Sequence, residues 1–157
     1  MRHGPAEDRG PSGGDFDRRL TAAGRALVAR VAEEVARTRG SPLSRFVASP
    51  LVRAQETARI ARDRLTGSDA PVELIETHAT LADYEPAWDL ARQLIADGID
   101  TLLVGHQPTV EAMVRGLLAG TGQPLRLQRG FATATVVAIR FDGGGRASGL
   151  ASVIEPG

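Results

Sequence analysis

Short apolar runs that are each followed by a helical pattern constrain the fold of this chain more than any other feature. Phe46–Ala48 leads into one helical pattern with Ser49 as its expected N-cap, and Thr101–Val104 leads into another that begins at Thr109. Short apolar runs that alternate with helices are typical of parallel strands buried on both faces. The order therefore predicts strand–helix units around a parallel sheet.

Two further segments extend this pattern. Thr21 is the predicted N-cap of a long helix that Gly40-Ser41-Pro42 closes, and residues 5–19 before it, rich in Gly, Pro and Asp, predict a mobile loop. A strand is expected at Val72–Ile75, and a helix at about Pro86–Ala96.

The C-terminal part has a different pattern. Thr133–Phe141 and Ala147–Ile154 are β-rich runs separated by Asp142–Arg146, which predicts a hairpin. The predicted fold class is α/β, a three-layer α/β/α domain with a mostly parallel sheet and an antiparallel C-terminal edge.

Composition limits the classes of function. The 157 residues fit one domain over 1–157, and a net charge of zero gives no general attraction to nucleic acid or to an anionic membrane. No apolar stretch approaches a membrane span or a signal peptide, and the absence of cysteine fits a reducing cytoplasm, where we place the protein. All 19 basic residues are arginine, so an arginine is informative here only within a motif.

Candidate site residues follow the predicted strands. Ligands of open α/β sheets bind beyond the carboxyl ends of the strands, where Ser49 and His106 lie, and where Arg2-His3-Gly4 would lie after a first strand. Arg53 falls in the first turn of a helix, whose free N–H groups also favour an anion.

These residue types suit a phosphoryl group. Guanidinium groups of Arg2 and Arg53 match pairs of phosphate oxygens, and nearby positive charge lowers the pKa of His3, which keeps its imidazole neutral and nucleophilic. Gly4 lets the backbone turn close to a ligand. With three histidines and none at i, i+4 spacing, no zinc site is expected.

The ordered motifs resemble the histidine phosphatase superfamily, the phosphoglycerate mutase-like group, and in particular its compact SixA-type phosphohistidine phosphatases. The motifs that support the resemblance are Arg2-His3-Gly4, Arg19-Leu20-Thr21-Ala22-Ala23-Gly24, Ser49-Pro50-Leu51-Val52-Arg53-Ala54-Gln55-Glu56-Thr57 and Val104-Gly105-His106-Gln107-Pro108.

The resemblance implies a catalytic set and a chemistry. His3 would be the nucleophile that forms a phosphohistidine, with Arg2, Arg53 and His106 completing the phosphate pocket, to which we add Gly4 and Ser49. It also implies that no metal or cofactor is needed.

Two features depart from the family pattern. Members usually carry an apolar strand before the first motif, so the first strand is predicted to be truncated. Many members also supply a carboxylic acid to the leaving group, and Asp83 and Glu85 are the candidates in the corresponding region.

The favoured function is removal of phosphate from phosphohistidine in proteins. One alternative is a phosphatase of small phosphorylated metabolites, and another is a non-catalytic domain that binds phosphorylated groups. The expected partner is thus a phosphorylated protein or metabolite, and neither nucleic acid nor membrane.

Overall fold

The structure, a computed structural model, describes residues 1–39, 43–66, 72–74 and 79–157. Two predicted features, the helix closure at Gly40-Ser41-Pro42 and the strand end at Ile75, lie outside these residues. The described helices and strands are α1 Ala22–Thr38, β1 Arg45–Ala48, α2 Val52–Leu65, β2 Val72–Leu74, α3 Ala79–Ala82, α4 Tyr84–Ala96, β3 Thr101–Val104, α5 Thr109–Leu118, β4 Val136–Phe141 and β5 Ala147–Ile154.

The strand–helix units form a parallel sheet, as predicted. Its order is β2-β1-β3, and β1 pairs with β3 in a register that sets Phe46 opposite Leu102 and Ala48 opposite Val104. β4 and β5 pair with each other as an antiparallel hairpin. The predicted α/β fold class is confirmed.

The N-terminal residues join the two sheets. On one side the N–H of His3 donates to the carbonyl of Gly105 (3.1 Å), just after β3, and Gly105 donates to Met1 (3.0 Å). On the other side Arg2 donates to Thr135 (3.1 Å), just before β4. Met1 to His3 therefore occupy a central position in the sheet. The predicted truncation of the first strand stays a prediction.

Apolar residues pack on both faces of this sheet. Leu102 and Val104 of β3 belong to a core formed with α1 and α2, whereas the intervening Leu103 packs with α4 and α5. Alternation of side chains along a strand explains this division. The result is the expected helix–sheet–helix layering. Among the helices of the described residues, none is long and apolar enough to cross a membrane.

Several predicted boundaries were wrong. Ser49 is not the N-cap of α2, because its N–H still pairs with Val104 of the sheet, and the cap is Leu51. β4 begins at Val136 instead of Thr133, since Ala134 has a positive φ of 65° that interrupts an extended chain.

α4 begins at Tyr84, two residues before the predicted start at Pro86. Proline is tolerated in the first helical turn, where its missing N–H would have no helical partner. Thr21 does cap α1, and its hydroxyl accepts the N–H of Gly24 at 2.8 Å.

Candidate active site

His3 lies at the end of the central N-terminal segment with its imidazole half-buried. Its Nδ1 lies 2.7 Å from the carbonyl oxygen of Gly4. A carbonyl can only accept, so Nδ1 holds the proton and Nε2 of the neutral ring carries the lone pair. The ring centroid of His106 lies 5.2 Å from that of His3.

Burial is the main cause that lowers the pKa of His3, to about 4. The positive charges of Arg53, Arg2 and Arg18 lower the pKa further, while the hydrogen bond to Gly4 acts in the opposite direction. At neutral pH the imidazole is therefore unprotonated, as a nitrogen nucleophile must be.

Arg2 and Arg53 are each anchored by their terminal nitrogens. Nη1 of Arg2 donates to the carbonyl of Phe131 at 2.8 Å. Nη1 and Nη2 of Arg53 donate to the carbonyl (2.8 Å) and the carboxylate (3.0 Å) of Asp15. The Nε of both arginines is buried and has no hydrogen-bond partner within the described residues. Buried donors in such a state are available to the oxygens of a bound anion.

Gly4 turns the chain out of the sheet at this point. Its N–H donates to the hydroxyl of Thr57 at 3.0 Å, and that hydroxyl donates to the carbonyl of Arg53 at 2.7 Å. A Cβ on Gly4 would lie 2.5 Å from Cγ2 of Val28 on α1, so only glycine fits. Thr57 thus ties Gly4, the neighbour of His3, to the helix that carries Arg53.

His106 is placed by the turn from β3 into α5. Its carbonyl accepts the N–H of Val110 at 2.9 Å, within the first turn of the helix. The preceding Gly105 leaves room for this turn, since a Cβ there would lie 2.8 Å from Cγ2 of Val110.

Ser49 and the two candidate acids have different surroundings. Ser49 is fully buried, and its hydroxyl accepts the N–H of Leu51 at 3.3 Å, so it braces the turn into α2. Asp83 and Glu85 are exposed at the start of α4. No group of three or more metal-ligating side chains occurs among the described residues.

Sequence reasoning missed two contacts in this site. Thr57 lies four residues after Arg53 and so shares its helix face, and this spacing could have identified Thr57 as a residue of the site. No sequence pattern identified Asp15, because it lies far from Arg53 in the sequence and within a loop that has no periodic arrangement of residues.

Comparisons with known proteins identify the family and the fold of this chain. The profile of the histidine phosphatase superfamily (branch 1) matches residues 1–85. The structure is similar to that of the protein histidine phosphatase SixA complexed with tungstate, with a TM-score of 0.76 and 23% identity over 99% of this chain and 94% of that one.

Two other solved structures share the fold. A SixA-type protein from Agrobacterium tumefaciens has a TM-score of 0.71 and 24% identity over 99% of this chain and 95% of that one. Phosphoserine phosphatase in complex with 3-phosphoglyceric acid, from Entamoeba histolytica, has a TM-score of 0.59 and 19% identity over 98% and 94%. No curated protein sequence matches this chain.

Proposed function

This chain belongs to the histidine phosphatase superfamily (branch 1) and is a phosphatase, and we propose that it hydrolyses phosphohistidine in proteins through a phosphoenzyme at His3. The observation that most supports this proposal is the state of His3. Its ring is neutral, its Nδ1 proton is held by Gly4, and its Nε2 lone pair is left for attack.

Transfer to the enzyme is the first step. The Nε2 lone pair of His3 forms a bond to phosphorus while the bond from phosphorus to the leaving nitrogen breaks, and the leaving nitrogen takes up a proton from solvent. The buried Nε donors of Arg2 and Arg53 are available to the phosphoryl oxygens as charge spreads onto them. His106, with its ring 5.2 Å from that of His3, is within reach of the same oxygens.

Hydrolysis is the second step. A water oxygen bonds to phosphorus, the water releases a proton to solvent, and the electrons of the breaking N–P bond return to Nε2 of His3. Phosphate leaves, and the neutral imidazole is restored. The negative charge on the phosphoryl oxygens is met in both steps by the fixed positive charge of Arg2 and Arg53.

Of the two candidate acids we favour Asp83. It follows Ala82, whose carbonyl accepts the Thr109 hydroxyl at 2.8 Å, and Thr109 comes three residues after His106. If Asp83 donates the leaving-group proton, Asp83→Asn lowers kcat on alkyl phosphate esters and spares phosphoramidates, whose nitrogen is the more basic leaving atom. Glu85→Gln is the matched control.

The position of the described residues between β2 and β3 favours protein substrates. Residues 79–96 form α3 and α4, and the buried residues Leu81, Ala87 and Ala91 pack with α5. These residues thus belong to the helical layer. We infer that the site is open enough to admit a phosphorylated side chain that projects from a folded partner.

Substrate competition tests the proposal. We expect kcat/KM for a phosphohistidine-bearing protein to exceed that for sugar and nucleotide monophosphates by at least ~100-fold, which corresponds to ~2.7 kcal/mol of transition-state binding. A metabolite that matches the phosphoprotein would support the small-molecule alternative instead. Phosphate binding without turnover of either substrate would indicate a non-catalytic binding domain.

A further inference from the structure

Residues 5–19, here called the N-terminal loop, are fastened at both base and tip. At the base the N–H of Glu7 donates to the carbonyl of Arg19 at 2.8 Å. At the tip the N–H of Val52, the first residue of α2, donates to the carbonyl of Phe16 at 3.2 Å. The loop therefore lies against the helix that carries Arg53.

The carboxylate of Asp15 bridges two arginines at this tip. Its Oδ2 accepts from Nη2 of Arg53 at 3.0 Å, and its Oδ1 accepts from Nη1 of Arg18 at 2.8 Å. Arginines hold a phosphoryl group in the same way, because each of two guanidinium groups binds a different oxygen of one anion. Both arginines act on His3, since the positive charge of each helps to lower its pKa.

We propose that the Asp15 carboxylate is an internal stand-in for the substrate's phosphoryl group, that phosphate displaces it, and that Arg18 is a further phosphate-binding residue. This inference rests on the proposed function, because it assumes that phosphate binds beside His3.

Solvent exposure shows that the Asp15 carboxylate, and not the arginines, is the group that can move out of this contact. The side chain of Asp15 is 63% exposed, against 26% for Arg18 and 8% for Arg53, so the anion can turn into water while the arginines stay in place. Phosphate carries more negative charge than one carboxylate and competes well for the same two cations.

The backbone preserves the orientation of Arg53 during this exchange. Nη1 of Arg53 donates to the main-chain carbonyl of Asp15 at 2.8 Å, a bond that does not involve the carboxylate. Displacement therefore frees Nη2 of Arg53 and Nη1 of Arg18 together without releasing the loop from α2.

Calorimetric titration with inorganic phosphate tests the proposal. Asp15→Asn keeps an oxygen acceptor but removes the charge, and we expect it to tighten phosphate binding by about 3- to 10-fold. Arg18→Gln should weaken binding by about 10-fold, because it removes a charge-assisted contact to the anion. Melting curves confirm that each variant is folded.

Matched controls come from the same loop. Asp17→Asn changes a carboxylate whose partner is Ser12, and Arg19→Gln changes an exposed arginine, so both should leave phosphate affinity within about 2-fold. If Asp17→Asn tightens binding as much as Asp15→Asn does, loop loosening explains the effect and the proposal is wrong.

Other outcomes separate this inference from the proposed function. Unchanged or weaker phosphate binding in Asp15→Asn would overturn the stand-in role, and unchanged binding in Arg18→Gln would overturn the role of Arg18. Neither result would contradict the proposed phosphatase function. If folded wild-type protein binds no phosphate at all, the proposed function fails together with this inference.

Discussion

Replacing Thr57 with valine should uncouple the segment that carries His3 from the helix that carries Arg53. Thr57 is fully buried, and its hydroxyl both accepts the N–H of Gly4 and donates to the carbonyl of Arg53. Valine has nearly the same shape and a similar helix propensity, so it removes the two hydrogen bonds and little else.

The size of the effect follows from the Gly4 N–H. This group is buried, and leaving it unpaired costs about 1–3 kcal/mol of unfolding free energy. At this chain length each kcal/mol lowers Tm by about 2–4 °C. Since Gly4 adjoins His3, a small shift of this backbone moves the imidazole that we propose as nucleophile, and we expect kcat to fall at least ~10-fold.

Thr57→Ser is the matched control. It keeps the hydroxyl and removes one buried methyl group, so it should lose about 1 kcal/mol of stability yet retain most of the turnover. Thermal unfolding and single-turnover kinetics on both variants make the comparison. Full kcat in Thr57→Val, or equal kcat losses in the two variants, would refute the proposed coupling.

Three further predictions concern His3, Gly24 and metal dependence. The His3 imidazole should titrate near pH 4 by NMR, well below the ~6.5 of an unfolded chain. As pH drops, the unfolded state takes up the His3 proton before the folded state does, so the free energy of unfolding should fall between about pH 6.5 and pH 4. His3→Gln should flatten this dependence on pH. Titration of His3 near pH 6.5 would contradict the account. Gly24→Ala should lower the free energy of unfolding by about 1–3 kcal/mol in thermal melts, despite the better helix propensity of alanine, because the new Cβ would lie 2.0 Å from the carbonyl oxygen of Pro5. Gly120 has open space around it, so Gly120→Ala should leave stability unchanged. A chelator should leave turnover intact, and loss of activity that a divalent ion restores would show that the site has been misread.

Local patterns made the individual elements predictable. The apolar run at Phe46–Ala48, the cap at Thr21 and the β-rich run at Ala147–Ile154 all depend on residues that are close in sequence, and the structure has them as strand, cap and strand. The motif residues His3 and His106 were likewise visible, because each adjoins a glycine at a sharp turn.

Contacts between distant segments were not predictable in the same way. The pairing of Arg2 with Thr135 and of Asp15 with Arg53 depends on how whole elements pack, and no period or motif links these positions. The start of β4 was misplaced for a related reason: the turn at Ala134 is imposed by its hydrogen bond to His3, which only the folded chain contains.

Detection of a phosphoryl group on His3 tests the central claim most directly. Rapid quench of the enzyme with a labelled phosphodonor, followed by peptide mapping, should yield an acid-labile, alkali-stable adduct on His3 that forms and decays at rates compatible with turnover. His106→Ala should retain a detectable adduct, whereas His3→Ala should form none. An adduct that persists in His3→Ala, or turnover by the wild type with no adduct at any time, would contradict the account.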